Sequence, residues 1–176
     1  MRISRFPSLV DDITVRLIAA VVLVVGAVAL ATQQWWLYAL LAADFTLRAA
    51  LGPDASPVAR FVRSALRPRI AAPPRPTAGP PKRFAAAIGA VMTGAATLLW
   101  VLSAATGSQA ASAAVVVIGV VMVVFPALEA VLGVCVGCIL FSGLMKIGLV
   151  PDDVCLECAD LSQRARAARS AAQQAA

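Results

Sequence analysis

Histidine is absent from this chain, which excludes imidazole metal ligands and histidine general bases. Charge is scarce too: only 14% of the 176 residues are Asp, Glu, Lys or Arg. Apolar residues take their place at 61%, against ~45–50% in soluble domains, and the mean hydropathy is +0.87. A water-soluble fold of this size could not bury so much apolar surface, whereas a bilayer can cover it. The net charge of +6 raises nucleic acid as a partner. The basic residues fall between apolar runs, however, which points to a lipid bilayer and its anionic headgroups and to no nucleic acid. The excess of Arg over Lys and the abundance of Ala suit a GC-rich genome.

Four apolar runs are each near the ~20 residues needed to cross ~30 Å of hydrocarbon as a helix. They predict spans at about 15–31, 35–52, 84–105 and 110–131. Helices are required because lipid cannot satisfy an open backbone. Arg2, Arg5 and Arg16 lie at the start, and Arg60, Arg63, Arg67, Arg69, Arg75, Lys82 and Arg83 in or at the end of the long loop 53–83. Lys146, Arg164, Arg166 and Arg169 follow the last run, while the two short links carry no basic residue. The positive-inside rule then predicts a multi-pass protein of the cell membrane with both termini and the loop cytoplasmic. Trp35, Trp36, Tyr38 and Trp100 fall near the outer ends of their spans, as an interfacial belt would. A competing reading takes residues 1–31 as a signal peptide cleaved after Ala29-Leu30-Ala31. The apolar run is long for that, and Asp11 and Asp12 are unusual before it.

The expected architecture is all-α: four transmembrane helices as two hairpins, an amphipathic interfacial helix and a cytoplasmic C-terminal helix. Residues 1–160 form one membrane domain and 161–176 an Ala-rich cytoplasmic tail. Within the loop, Ser56-Pro57 reads as N-cap and first helical position. Val58, Phe61, Val62, Ala65 and Leu66 make an apolar face beside Arg60, Arg63 and Arg67, the pattern of a basic helix lying on the inner leaflet and ended by Pro68. PPRPTAGPP at 73–81 reads as a stiff extended linker. Arg5-Phe6 and Arg83-Phe84, with Leu51-Gly52 and Leu132-Gly133, outline a weak internal repeat of two hairpins. After the fourth span, residues 139–147 can continue as a short helix.

Four cysteines form two CxxC pairs, Cys135/Cys138 and Cys155/Cys158, sixteen residues apart. Residues three apart share a helix face, so each pair is set to act together. Simple apolar packing is the bland alternative; it suits the polar stretch around Cys155 and Cys158 poorly. Two chemistries use such a set. One is dithiol redox, in which Cys135 attacks, Cys138 resolves and Cys155 and Cys158 form a second dithiol. The other is a zinc site of four thiolates, Cys135, Cys138, Cys155 and Cys158. A reducing cytoplasm permits either. Asp152, Asp153, Glu157 and Asp160 crowd the second pair with negative charge, which weakens a nucleophilic role there and suits a cation. Buried charge appears at Asp44, Arg48 and Glu129. Asp44 and Arg48 can pair at i, i+4, and the repeat would let Arg48 meet Glu129. A structural ion pair is the favoured reading over an ion or solute path.

The stretches DFTLRAALGP (44–53), PPKRFAAAIG (80–89), GVCVGCILF (133–141) and GLVPDDVCLEC (148–158) resemble the domain-of-unknown-function family 4395, small bacterial membrane proteins common in actinobacteria. The resemblance spans roughly residues 4–160 and is most specific around Cys135 and Cys138. Val134 stands where the family usually has Phe or Trp, and RFPS stands for an Arg-Phe-Asn-Gln type start. The resemblance implies thiol or sulfur metabolism, with a thioredoxin-like or sulfurtransferase protein as partner. The leading expectation is a membrane dithiol protein serving cytoplasmic thiol redox or sulfur transfer. The alternatives are a non-enzymatic scaffold with a four-cysteine zinc site, and a small transporter using Asp44, Arg48 and Glu129.

Overall fold

The computed structural model describes residues 7 and 9–150. Cys155, Cys158 and the tail lie outside the described residues, so the second cysteine pair and the C-terminal helix expected there are not described.

The first helix, α1 (Asp12–Thr32), starts at a strong cap. Asp11 stands at the N-cap and accepts from the Thr14 amide at 3.3 Å and its hydroxyl at 2.7 Å, satisfying one of the orphan donors of the first turn. Just before it, β1 (Leu9–Asp11) pairs antiparallel with β2 (Pro76–Ala78), with Leu9 opposite Ala78 and Asp11 opposite Pro76. The expected linker is therefore extended, as proline demands, but paired. It also ends earlier than expected, because α4 (Gly79–Thr106) begins within it with prolines in the first turn, where no backbone donor is missed.

Between these lie α2 (Trp36–Leu51) and α3 (Pro57–Phe61), the latter running on through a π turn (Val62–Leu66) and a 3-10 turn (Arg67–Arg69). Ser56 caps α3 and Pro57 opens it. The chain then continues as α5 (Gln109–Ala127), a π turn (Leu128–Leu132) and α6 (Val136–Lys146). Tight reversals join α1 to α2 at Gln33 (φ 55°) and α4 to α5 at Gly107 (φ 66°). They define one end of the bundle; the loop, the β pair and α6 define the other.

Three helical stretches are long and apolar enough to cross a membrane: Asp12–Thr32, Gly79–Thr106 and Gln109–Leu132, with mean hydropathies of 2.6, 1.9 and 2.7. α2, at 16 residues, is shorter. The outward faces are apolar: Val91 and Leu98 on α4, one heptad apart, are each 72% exposed. Such a stripe suits lipid and not water.

Where helices cross, one of the two residues that meet is a glycine. A Cβ added at Gly89 of α4 would fall 2.7 Å from the Phe45 ring of α2, and one at Gly26 of α1 would fall 3.2 Å from the Met122 carbonyl of α5. Close approach of this kind supplies the dispersion attraction that holds apolar helices together when their surroundings are equally apolar. Tyr38, expected in an interfacial belt, is instead fully buried in the core. Its ring lies 6.0 Å from that of Trp35 and its hydroxyl donates to the Gly26 carbonyl at 3.4 Å.

Candidate functional site

The described cysteine pair sits where α5 gives way to α6. Pro126 is carried within α5, and the π turn behind it ends at Gly133, whose φ of 70° closes the helix. Arg16 of α1 donates to the exposed carbonyls of Ala130 (3.1 Å) and Val131 (2.8 Å), a cation placed at the negative end of the helix. Three residues after Gly133, α6 starts. It begins at Val136, three residues earlier than expected, so Cys135 is its N-cap residue and Cys138 lies in its first turn.

Gly137 makes this placement possible. Its Cα rests against α4, and an added Cβ would lie 2.5 Å from the Ala85 Cβ and 2.7 Å from the Ala85 Cα. The rings of Phe84 and Phe141 meet between the same helices, their centroids 5.6 Å apart. One turn before Ala85, on the same face of α4, Lys82 extends beside both thiols. Its Nζ donates to Glu129 Oε1 at 2.7 Å, with both side chains largely buried.

The two thiols are unequal. Both are free; Cys135 is buried and Cys138 half-buried. Cys135 is pushed well above the usual thiol range, first because its S–H donates to Cys138, then by burial and by the Glu129 carboxylate. Cys138 is drawn below its usual range, first because it accepts that hydrogen bond and then because the Lys82 ammonium faces it, and these outweigh its burial. On this balance Cys138 is the more readily ionised of the two, and the cation that favours its ionisation comes from α4 and not from α6.

A cavity of about 300 Å³ opens among α1, α2, α4 and α5 beside this pair. Ile18, Val22, Phe45, Met122 and Phe125 form its apolar walls, and Arg48, Lys82, Glu129 and Cys135 bring polar groups to it.

The remaining charged candidates separate into two clusters. Asp44 is buried and pairs with Arg48 one turn along α2. Its other oxygen accepts from the Ser56 hydroxyl at 2.7 Å and the Val58 amide at 2.9 Å, so the carboxylate ties the start of α3 to the side of α2. Arg48 lies over the Phe45 ring at 4.9 Å, and its buried Nε has no hydrogen-bond partner among the described residues. Glu129 takes Lys82 and not Arg48 as its partner: α4 packs directly on α5, whereas Arg48 is already committed to Asp44. Lys82 was missed as a site residue. It counted only toward loop charge, although it is one of two lysines in the chain and stands where the third apolar run begins. As for metal, no group of three or more potential ligands converges among the described residues.

No curated protein and no solved structure matches the chain. A family model described as a domain of unknown function (DUF4395) matches residues 10–146. That match takes in the cavity, Lys82, Glu129 and both described cysteines, and the chain belongs to the DUF4395 family.

Proposed function

We propose that this chain is a multi-pass protein of the cytoplasmic membrane in which Cys135 and Cys138 act as a redox dithiol facing the cytoplasm. In this reading α1, α2, α4 and α5 cross as two hairpins, α3 lies at the inner leaflet and both termini are cytoplasmic. The arginine asymmetry supports the orientation. The short α2 crosses by thinning the bilayer locally. The partner chemistry is a protein disulfide or sulfur carrier of the thioredoxin or sulfurtransferase kind, exchanging at the more accessible Cys138.

The observation that carries this reading is the unequal pair at the start of α6 with the Lys82 ammonium beside it. In exchange, the Cys138 thiolate attacks a partner disulfide sulfur. A Cys138–partner S–S bond forms and one partner thiolate leaves. Cys135 then loses its proton and attacks the Cys138 sulfur, releasing the second partner thiolate; these steps oxidise the chain by two electrons, and run in reverse they let a partner dithiol reduce the Cys135–Cys138 disulfide through Cys138. The same ammonium works against a divalent cation bound by this pair, since it places a positive charge beside both sulfurs.

The test is a redox titration of the full-length protein against glutathione, with disulfides mapped by mass spectrometry. The expected result is a reversible Cys135–Cys138 disulfide, with Cys135→Ser trapping a mixed disulfide at Cys138. Stoichiometric zinc holding both thiols in a protected state, or thiols that stay reduced throughout, would overturn the proposal.

A further inference from the structure

Exchange with a soluble partner uses Cys138 and leaves the cavity without a role. We infer that this cavity binds a membrane quinone, which accepts the two electrons of the Cys135–Cys138 dithiol; the inference rests on the dithiol reading above and names its oxidant.

Three observations point to that ligand class. First, the cavity has Cys135 in its wall but not Cys138. Cys135 is thus the cysteine beside the cavity, and Cys138 is the more accessible of the pair. Second, the walls exclude a hydrophilic oxidant. Ile18 and Val22 of α1, Phe45 of α2 and Met122 and Phe125 of α5 offer aromatic and polarisable surface to a flat conjugated ring. The volume of about 300 Å³ is at the lower end of the roughly 300–1,000 Å³ typical of small-molecule sites. Third, beside the Asp11 and Glu129 carboxylates the lining includes donors suited to a ring carbonyl. Lys82 and Arg48 both line the cavity, and the buried Arg48 Nε has no partner among the described residues. A buried donor without an acceptor calls for one, and a quinone oxygen is an uncharged acceptor that becomes negative on reduction, when nearby cations hold it more strongly.

The transformation balances. The Cys135 S–H bond breaks and the Cys135–Cys138 S–S bond forms. Two electrons pass to the ring, one proton comes from Cys135 and one from water, matching the proton that Cys138 released on ionising, and the quinone leaves as the quinol. A thiol partner in the cytoplasm then reduces the disulfide through Cys138 and resets the pair.

The test uses reduced full-length protein in lipid nanodiscs and a short-chain, fully ring-substituted benzoquinone, which thiols do not arylate. Quinone absorbance and free thiols are followed together. The expected result is one quinone consumed for each Cys135–Cys138 disulfide formed. Val22→Trp, which fills the cavity, slows this about tenfold or more, as expected when a side chain takes the ligand's volume. An azide-bearing quinone, photolysed on the unaltered protein, labels the wall segments around Val22 and Met122, which keeps the inference testable should the variant misfold. Three results overturn it. A glutathione-driven disulfide with no quinone consumption leaves the dithiol reading standing and removes the quinone. Labelling elsewhere, or an undiminished rate in folded Val22→Trp, removes the cavity as the site, leaving a lipid acyl chain as its occupant. Thiols inert to both oxidants remove the dithiol reading and the inference with it.

Discussion

Replacing Gly137 with alanine tests how the thiol pair is held. The new Cβ would stand 2.5 Å from the Ala85 Cβ and 2.7 Å from its Cα. Carbon atoms pack at about 3.5–4.0 Å, so the start of α6 must retreat from α4 by at least about 1 Å. Because one of the opposing atoms is backbone, no side-chain rotation can absorb the clash. Overpacking of this kind costs about 1–3 kcal/mol. The chemical consequence follows from Lys82, which sits one turn before Ala85 and moves away from Cys138 as the helices part. At an effective dielectric of about 20, widening a charge separation from about 4 to about 5 Å loses about 1 kcal/mol of attraction. That corresponds to roughly a fivefold fall in thiolate population below the pKa. The assay is alkylation of Cys138 by iodoacetamide at neutral pH, resolved by mass spectrometry, alongside thermal unfolding. Gly143→Ala and Gly94→Ala serve as controls, since nothing lies within 4 Å of a Cβ at either position; both are expected to keep the thiol rate. Ala85→Gly in the Gly137→Ala background is expected to restore the rate only in part, because the backbone at residue 85 still stands 2.7 Å from the new methyl group. A Gly137→Ala protein that alkylates Cys138 at the unaltered rate, with unaltered unfolding, would refute the reasoning.

Lys82→Met is expected to slow Cys138 alkylation at neutral pH and to destabilise the fold by about 3 kcal/mol, since it strands a largely buried Glu129 carboxylate. Adding Glu129→Gln should recover most of the stability but only part of the reactivity, because the carboxylate that opposes thiolate formation is gone while the ammonium that favours it is still missing. Asp11 offers a pH test. Burial raises its carboxyl, but hydrogen bonds from Thr14, the Arg75 backbone and Arg67 outweigh this and set it at about 2, below the ordinary 3.8. A depressed carboxyl stabilises the fold above its ordinary pKa and loses that contribution as pH falls through the lower value. Asp11→Asn should therefore cost about 1 kcal/mol at neutral pH, once solvent screening is allowed for, and less at pH 2; equal costs at both would sink the assignment. Gly89→Ala should destabilise through the Phe45 ring at 2.7 Å, and Phe45→Leu should relieve part of the loss because the obstacle is a side chain.

Local signals account for what could be read from residues alone. The three long apolar helices follow from composition over windows of about one span. The Ser56 cap with Pro57 behind it, and the reversal at Gly107, follow from residue types with direct backbone consequences. Non-local partners were not legible. The pairing of Leu9–Asp11 with Pro76–Ala78 joins segments on either side of α1, α2 and α3, and neither strand has an alternating pattern long enough to mark it. Tyr38 looked interfacial beside Trp35 and Trp36, yet it packs in the core, because Gly119 leaves room for its hydroxyl and the Gly26 carbonyl accepts from it. At the candidate site the cysteine spacing was visible in the sequence, but the inequality of the two thiols was not. It depends on Lys82, which is brought there by the fit of Gly137 on Ala85 across more than fifty intervening residues.

The charge balance at this site also bears on the direction of electron flow. With Lys82 and Glu129 paired, the surroundings of the cysteines are close to neutral. The reduced pair, with its thiolate at Cys138, adds one negative charge, and the disulfide adds none. In a poorly solvated pocket an extra charge is costly, so the site carries less electrostatic burden when oxidised. The ammonium offsets enough of that burden to let the thiolate form, and Glu129 keeps the offset from being complete. Under the proposed dithiol function, that balance favours loss of electrons to an uncharged acceptor, and the proposed route, in at Cys138 from a thiol partner and out through the cavity beside Cys135, follows the same preference.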